Sequence, residues 1–220
     1  MGNDVGESAA KTAAVWIMLS AIVRINELCA APWSNVDLRA GTWFIPADQS
    51  KNRRSHTVWL SDFTQACLAE LHAMTGHTPW LLPANRERPI TTSVLQSAFS
   101  YRQSAAKEWG KKNAIAEITG SSLLLDGGSW SAHDLRRTGA TFMQVCGVPQ
   151  PIIEACLNHA LSSEAREKKV NLALPLTYQQ YDYARERRDA WQRLGQYLEN
   201  LAAEPADGPD IEELLLDAAL

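Results

Sequence analysis

The eleven residues from Ala13 to Val23 carry a single polar side chain, Ser20, and the run ends on Arg24. No other stretch constrains the fold as strongly. Read as a helix over residues 12–29, it is apolar almost all round and has to be buried on every side. It is too short to span a bilayer, which takes about 20 apolar residues. Arg24 and Glu27 close it at i,i+3 spacing. An exposed helical Arg–Glu pair contributes only about 0.3–0.5 kcal/mol, too little to account for a charge at the end of a buried helix. A charge there costs burial energy unless it finds a partner, so a deeper role for Arg24 stands beside the local pair.

The remaining pattern predicts an α+β chain, mainly α, with one small antiparallel sheet and no βαβ alternation. Residues 42–46 and 56–60 read as short strands, joined by the basic turn Lys51-Asn52-Arg53-Arg54. Ser61 is placed to cap a helix over 62–74. Residues 80–83 read as a third short strand or a buried loop. Another helix runs from Thr91 or Thr92 to Lys107, and 110–130 form a loop rich in Gly, Ser and Lys. Two helices follow, 132–146 and 149–158, separated by Gly147-Val148-Pro149, with glycine as the stop and proline as the restart. Residues 160–177 are irregular. From 181 to 201 a helical stripe returns through Trp191, Leu194, Leu198 and Leu201.

Residues 1–10 read as a loose start, 11–201 as one folded body, and 202–220 as an acidic tail. Within the tail, Ile211–Ala219 is an amphipathic helix too short to stand alone. Net charge is −4, which at first sight disfavours a nucleic-acid partner. Yet residues 201–220 hold six of the 25 acids and none of the 21 bases, leaving +2 for residues 1–200. Four well-separated cysteines (Cys29, Cys67, Cys146, Cys156) in apolar settings read as free thiols of a reducing compartment. The acidic leader, with Asp4 and Glu7, argues against a secretory signal. The expected location is the bacterial cytoplasm, with no membrane contact.

Six positions stand out, though each alone also reads as an ordinary solvated, capping or packing residue. His133 and Arg136 lie one helical turn apart and set a forked donor beside an imidazole. The helix stripe Leu135, Gly139, Phe142 and Cys146 turns them, with Arg137, toward the opposite face. Arg24 ends the buried helix, Lys51 sits in the hairpin turn, His159 lies at a helix end, and Tyr178 precedes the last helix. No H-x-x-x-H or paired-carboxylate spacing points to a metal, and no cofactor motif is present.

In that order these motifs resemble the tyrosine recombinase (phage integrase) family. Arg24-Ile25-Asn26-Glu27-Leu28 looks like its first arginine motif, and Lys51 to Ser61 like its lysine hairpin. His133-Asp134-Leu135-Arg136-Arg137-Thr138 is close to verbatim for its second box. Tyr178 through Trp191 is similar to the tyrosine segment of prophage and genomic-island integrases. The resemblance implies the fold of the DNA breaking–rejoining enzymes and a catalytic domain over 11–201, without the DNA-clamping domains that usually precede it. The 19-residue interval from His159 to Tyr178 is long and leaves Tyr181 and Tyr183 as alternative nucleophiles. Gln180 stands where many relatives have arginine.

The implied reaction is transesterification at a DNA phosphodiester through a 3′-phosphotyrosine, during integration or excision of a mobile element. It needs neither cofactor nor metal. Arg24 and Arg136 would clamp the phosphate, Lys51 would protonate the leaving oxygen, and His133 and His159 would donate hydrogen bonds. Glu27 would orient or balance its basic neighbours. Arg53, Arg54, Lys111, Lys112 and Arg137, with Lys107, Arg185, Arg187 and Arg188, would track the duplex. The implied partner is double-stranded attachment-site DNA, bound weakly by a domain without its clamps. The assembly would be a tetramer on DNA and a monomer or weak oligomer off it, the tail docking in cis or in trans. A type IB topoisomerase and a non-catalytic DNA-binding remnant are the competing readings.

Overall fold

The computed structural model describes residues 3–109, 123, 125, 127–159 and 183–203, without the side chains of 3–8 and 104–109. Helix α1 runs Asn3–Ala21, so the described part of the expected loose start is already helical. Its buried positions Ala13, Ala14, Ile17, Met18 and Ala21 follow the i, i+3, i+4 rhythm of a helix packed on several neighbours.

The predicted single helix over 12–29 is in fact two. Ile22 adopts φ 48°, and the chain restarts as α2, Ile25–Cys29, with Arg24 as its extended N-cap. An apolar run has no sequence signature for such a break. The break turns Arg24 into the N-cap of α2, where its amide and guanidinium both donate to Glu27.

After a single 3₁₀ turn at Trp33–Asn35 come strands β1 (Val36–Asp37), β2 (Thr42–Ile45) and β3 (His56–Trp59). They form one antiparallel sheet in the order β1-β2-β3, with Trp43 opposite Val58 and Ile45 opposite His56. Alternation points Trp43 and Ile45 into the core and leaves Phe44 outside, as a half-buried sheet requires. The predicted strands are present, each one residue shorter. Residues 80–83 make only isolated bridges, from Trp80 to Pro32 and from Pro83 to Pro89.

Helix α3 (Asp62–Thr75) starts as expected on Ser61, whose Oγ accepts from the Thr64 amide at 3.2 Å. Helix α4 spans Thr92–Trp109, α5 Ala132–Val145 and α6 Gln150–Cys156. Between the last two, Gly147 takes φ 72° and the Val148 amide reaches back to the Met143 carbonyl, a helix stop that favours glycine. Helix α7 (Ala184–Ala203) buries Trp191, Leu194 and Leu198 and packs on α1, α3, α5, α6 and β3. The Trp191 indole donates to the Ala21 carbonyl at 3.3 Å. The predicted tail helix, the irregular 160–177 segment and most of the 110–130 loop lie outside the described residues.

Candidate active site

The site is built where α1 stops. Glu27, with no exposed side-chain surface, accepts from the Arg24 guanidinium at 2.9 Å and from the Arg24 amide at 2.8 Å. Its second oxygen lies 4.0 Å from Arg136 Nη1. One buried carboxylate thus faces two guanidiniums. The Arg24–Glu27 pair read locally from the sequence exists, but it is the base of a three-residue cluster. Burial offsets much of that cluster's Coulombic gain with desolvation, yet makes it costly to break from one side.

Arg136 departs from the expected helix face. The buried face of α5 is Ala132, Arg136, Gly139 and Met143, not the stripe through Leu135 and Phe142. The residue is only 4% exposed. It is accommodated because its fork meets two backbone carbonyls, donating to Ile22 and, at 2.5 Å, to Leu157. Gly139 permits this approach: a Cβ there would lie 2.4 Å from the Leu19 carbonyl oxygen and 2.6 Å from Ile22 Cγ2. Burial first, then Arg24, lowers the Arg136 pKa to about 10, with Glu27 and Glu154 opposing. It stays charged at neutral pH.

His133 and Arg137 flank this residue on α5 and are both exposed. Arg137 pairs with Asp134 at 3.5 Å. Asp134 also accepts from the Ser131 amide at 2.9 Å and hydroxyl at 2.7 Å, which hold its carboxyl below the usual range and fix the start of the helix.

Lys51 lies exposed in the turn between β2 and β3, as do Arg53, at φ 55°, and Arg54. His159 is exposed, and its Nδ1 lies 2.6 Å from Glu154, whose other oxygen accepts from Gln150 at 2.8 Å. A carboxylate on Nδ1 fixes the ring and leaves Nε2 as the nitrogen not bound to it. Of the other basic positions, Arg187 donates to the Thr57 carbonyl at 2.7 Å, and Arg188 stacks 4.3 Å from the centroid of the Trp59 ring. Tyr178, Tyr181, Lys111 and Lys112 lie outside the described residues. Tyr183 precedes α7 at φ 54° and packs against the core.

Two residues of the cluster escape sequence reasoning. His56 is half-buried, and desolvation lowers its pKa to about 4, with Glu27 opposing and Arg187, Arg136 and Arg24 reinforcing. Its Nδ1 lies 2.9 Å from Asn158 Nδ2, so the neutral ring is the acceptor. The available signal was a histidine in a strand otherwise suited to apolar packing. Asn158 carried none. Among the described residues no group of His, Cys, Asp or Glu is placed to hold a metal ion, and no helix is long and apolar enough to cross a membrane.

A three-stranded sheet lies beside a helical body, and Arg24, at the N-cap of α2, shares one buried carboxylate with Arg136, in the second turn of α5. XerA recombinase shares this fold at a TM-score of 0.51 and 20% identity, over 82% of this chain and 62% of that one. The integrase of mycobacterium phage Brujita aligns over 96% of this chain and 57% of its own, at 17% identity and a TM-score of 0.49. The model of the phage integrase family matches residues 3–167, and the chain belongs to that family. Tyr178 lies beyond the matched stretch. Prophage integrase IntA of Escherichia coli (strain K12) is 27% identical over 180 residues, 81% of this chain but 36% of IntA. The chain therefore spans about a third of the length of that curated relative.

Proposed function

We propose that this chain cuts and rejoins double-stranded DNA by transesterification, in the integration or excision of a mobile element. The observation that carries the reading is the pair Arg24 and Arg136 gathered on Glu27, two charges against one. The surplus positive charge suits a phosphate.

In the proposed step the Tyr178 phenolate oxygen bonds to phosphorus, and the bond from phosphorus to the 5′-oxygen breaks. The tyrosine proton passes to His133 or to water. Lys51 gives a proton to the departing 5′-oxygen. Rejoining reverses the sequence with a new 5′-hydroxyl. Ionising tyrosine at neutral pH costs roughly 4 kcal/mol. Two charge-assisted clamps on the non-bridging oxygens, each worth about 1.5–3 kcal/mol, offset it. His159 adds a donor. Arg53, Arg54, Arg137, Lys111 and Lys112 hold the duplex backbone, four protomers assemble on DNA, and the 202–220 tail docks in cis or in trans.

The test is covalent capture. The chain is incubated in EDTA with a library of nicked duplexes of random sequence, denatured, and the adduct mapped. An adduct on Tyr178, lost in Tyr178→Phe, is expected. An adduct on Tyr181 or Tyr183 moves the nucleophile. No adduct from folded, DNA-bound protein rejects the reading in favour of non-catalytic binding.

A further inference from the structure

Leu157, Asn158 and His159 form a three-way junction. The Leu157 carbonyl accepts from Arg136, and His159 is held by Glu154. Between them, Asn158 sits at φ 48° and turns its side chain toward the lysine hairpin. Its Nδ2 lies among four acceptors: Ser50 Oγ at 3.2 Å, Asn52 Oδ1 at 3.2 Å, the Arg54 carbonyl at 3.1 Å and His56 Nδ1 at 2.9 Å. In return Asn52 Nδ2 donates to the Asn158 carbonyl at 2.5 Å. Ser50 Oγ also donates to Asn52 Oδ1 at 2.8 Å.

Ser50 and Asn52 are the two residues either side of Lys51. The hairpin tip thus closes around Asn158 while Lys51 itself stays exposed. A turn lysine carries large side-chain freedom, and a general acid has to lie within hydrogen-bond reach of the oxygen it serves.

We propose that Asn158 is a positioning residue: by binding the residues that flank Lys51, it fixes that lysine beside the His159 end of α6, where it protonates the leaving 5′-oxygen. This rests on the strand-transfer reading above. His56, kept neutral by its burial, completes the latch as an acceptor.

The experiment compares two nicked duplexes, one ordinary and one with sulfur replacing the bridging 5′-oxygen at the scissile phosphate. A thiolate, of pKa about 8.5, leaves without a proton. Asn158→Gly removes the side chain and tolerates the left-handed backbone. Adduct formation on the ordinary duplex is expected to fall on the order of 10²-fold, the scale of a misplaced group. On the sulfur duplex it returns to near wild type, as it does for Lys51→Ala. An equal loss on both duplexes, or none on either, overturns the assignment. If Asn158→Gly fails to fold, the same comparison runs on Asn158→Asp, which keeps the shape but loses the N–H donors. A wild-type chain that forms no adduct on either duplex defeats the underlying reading instead.

Discussion

The Arg136 guanidinium donates to the carbonyl of Ile22, the residue whose left-handed backbone ends α1. A β-branched residue at positive φ is strained, at a cost of order 1–3 kcal/mol. Here the strained turn has two products. It aims a carbonyl at Arg136 and brings Arg24 off the helix axis beside Glu27. For Arg136→Lys, one ammonium replaces a fork that served the Ile22 and Leu157 carbonyls. The expected loss is about 1–3 kcal/mol of unfolding free energy. Arg137→Lys, its exposed neighbour, should change by less than about 0.5 kcal/mol. Urea titrations of the two variants check both.

Glu27 is the only acid the described structure sets between Arg24 and Arg136. Glu27→Ala leaves two guanidiniums facing each other with a buried acceptor gone. Breaking a buried pair from one side costs about 3–5 kcal/mol. A denaturation midpoint near wild type would show that the two arginines need no carboxylate to stay folded.

Gly139 is where α5 meets the end of α1. An added methyl would press on the Leu19 carbonyl, which is backbone and cannot swing aside. Gly139→Ala should cost about 1–3 kcal/mol by overpacking. Gly127→Ala, with no described atom within 4 Å of the added methyl, should not. Thermal melts compare them directly.

His56 makes stability pH-dependent. Its pKa is about 4 in the folded chain against 6.5 for a free ring. The unfolded state therefore binds the proton first, and stability present above pH 6.5 is lost as pH falls toward 4. Between about pH 7.5 and pH 5 the loss is roughly 2 kcal/mol. In His56→Gln this component disappears, and chemical denaturation at the two pH values should give a smaller difference than in wild type.

Much of this was readable from the chain. Ser61 as a cap, the β2–β3 hairpin around Lys51 and the stop at Gly147 follow from local chemistry that acts within a few residues. The helix face of Arg136 did not. Periodicity counts apolar side chains, and a guanidinium satisfied by two distant carbonyls looks, in sequence, like a solvent-facing charge. The break at Ile22 was hidden for a related reason, since nothing in an isoleucine announces a left-handed turn. Asn158 and His56 meet across 102 positions, and only the folded chain shows that they touch.

Those long separations have a consequence for control. Arg136 is tied to Ile22 across 114 positions, and Asn52 to Asn158 across 106. Local pairs such as Arg24–Glu27 need only a short stretch, but these two ties need distant ones. A fragment that ends between Asn52 and Arg136 holds neither. The site therefore forms only late in synthesis, once the chain past Asn158 has folded against the β2–β3 turn, and a cut between Asn52 and Arg136 separates both ties.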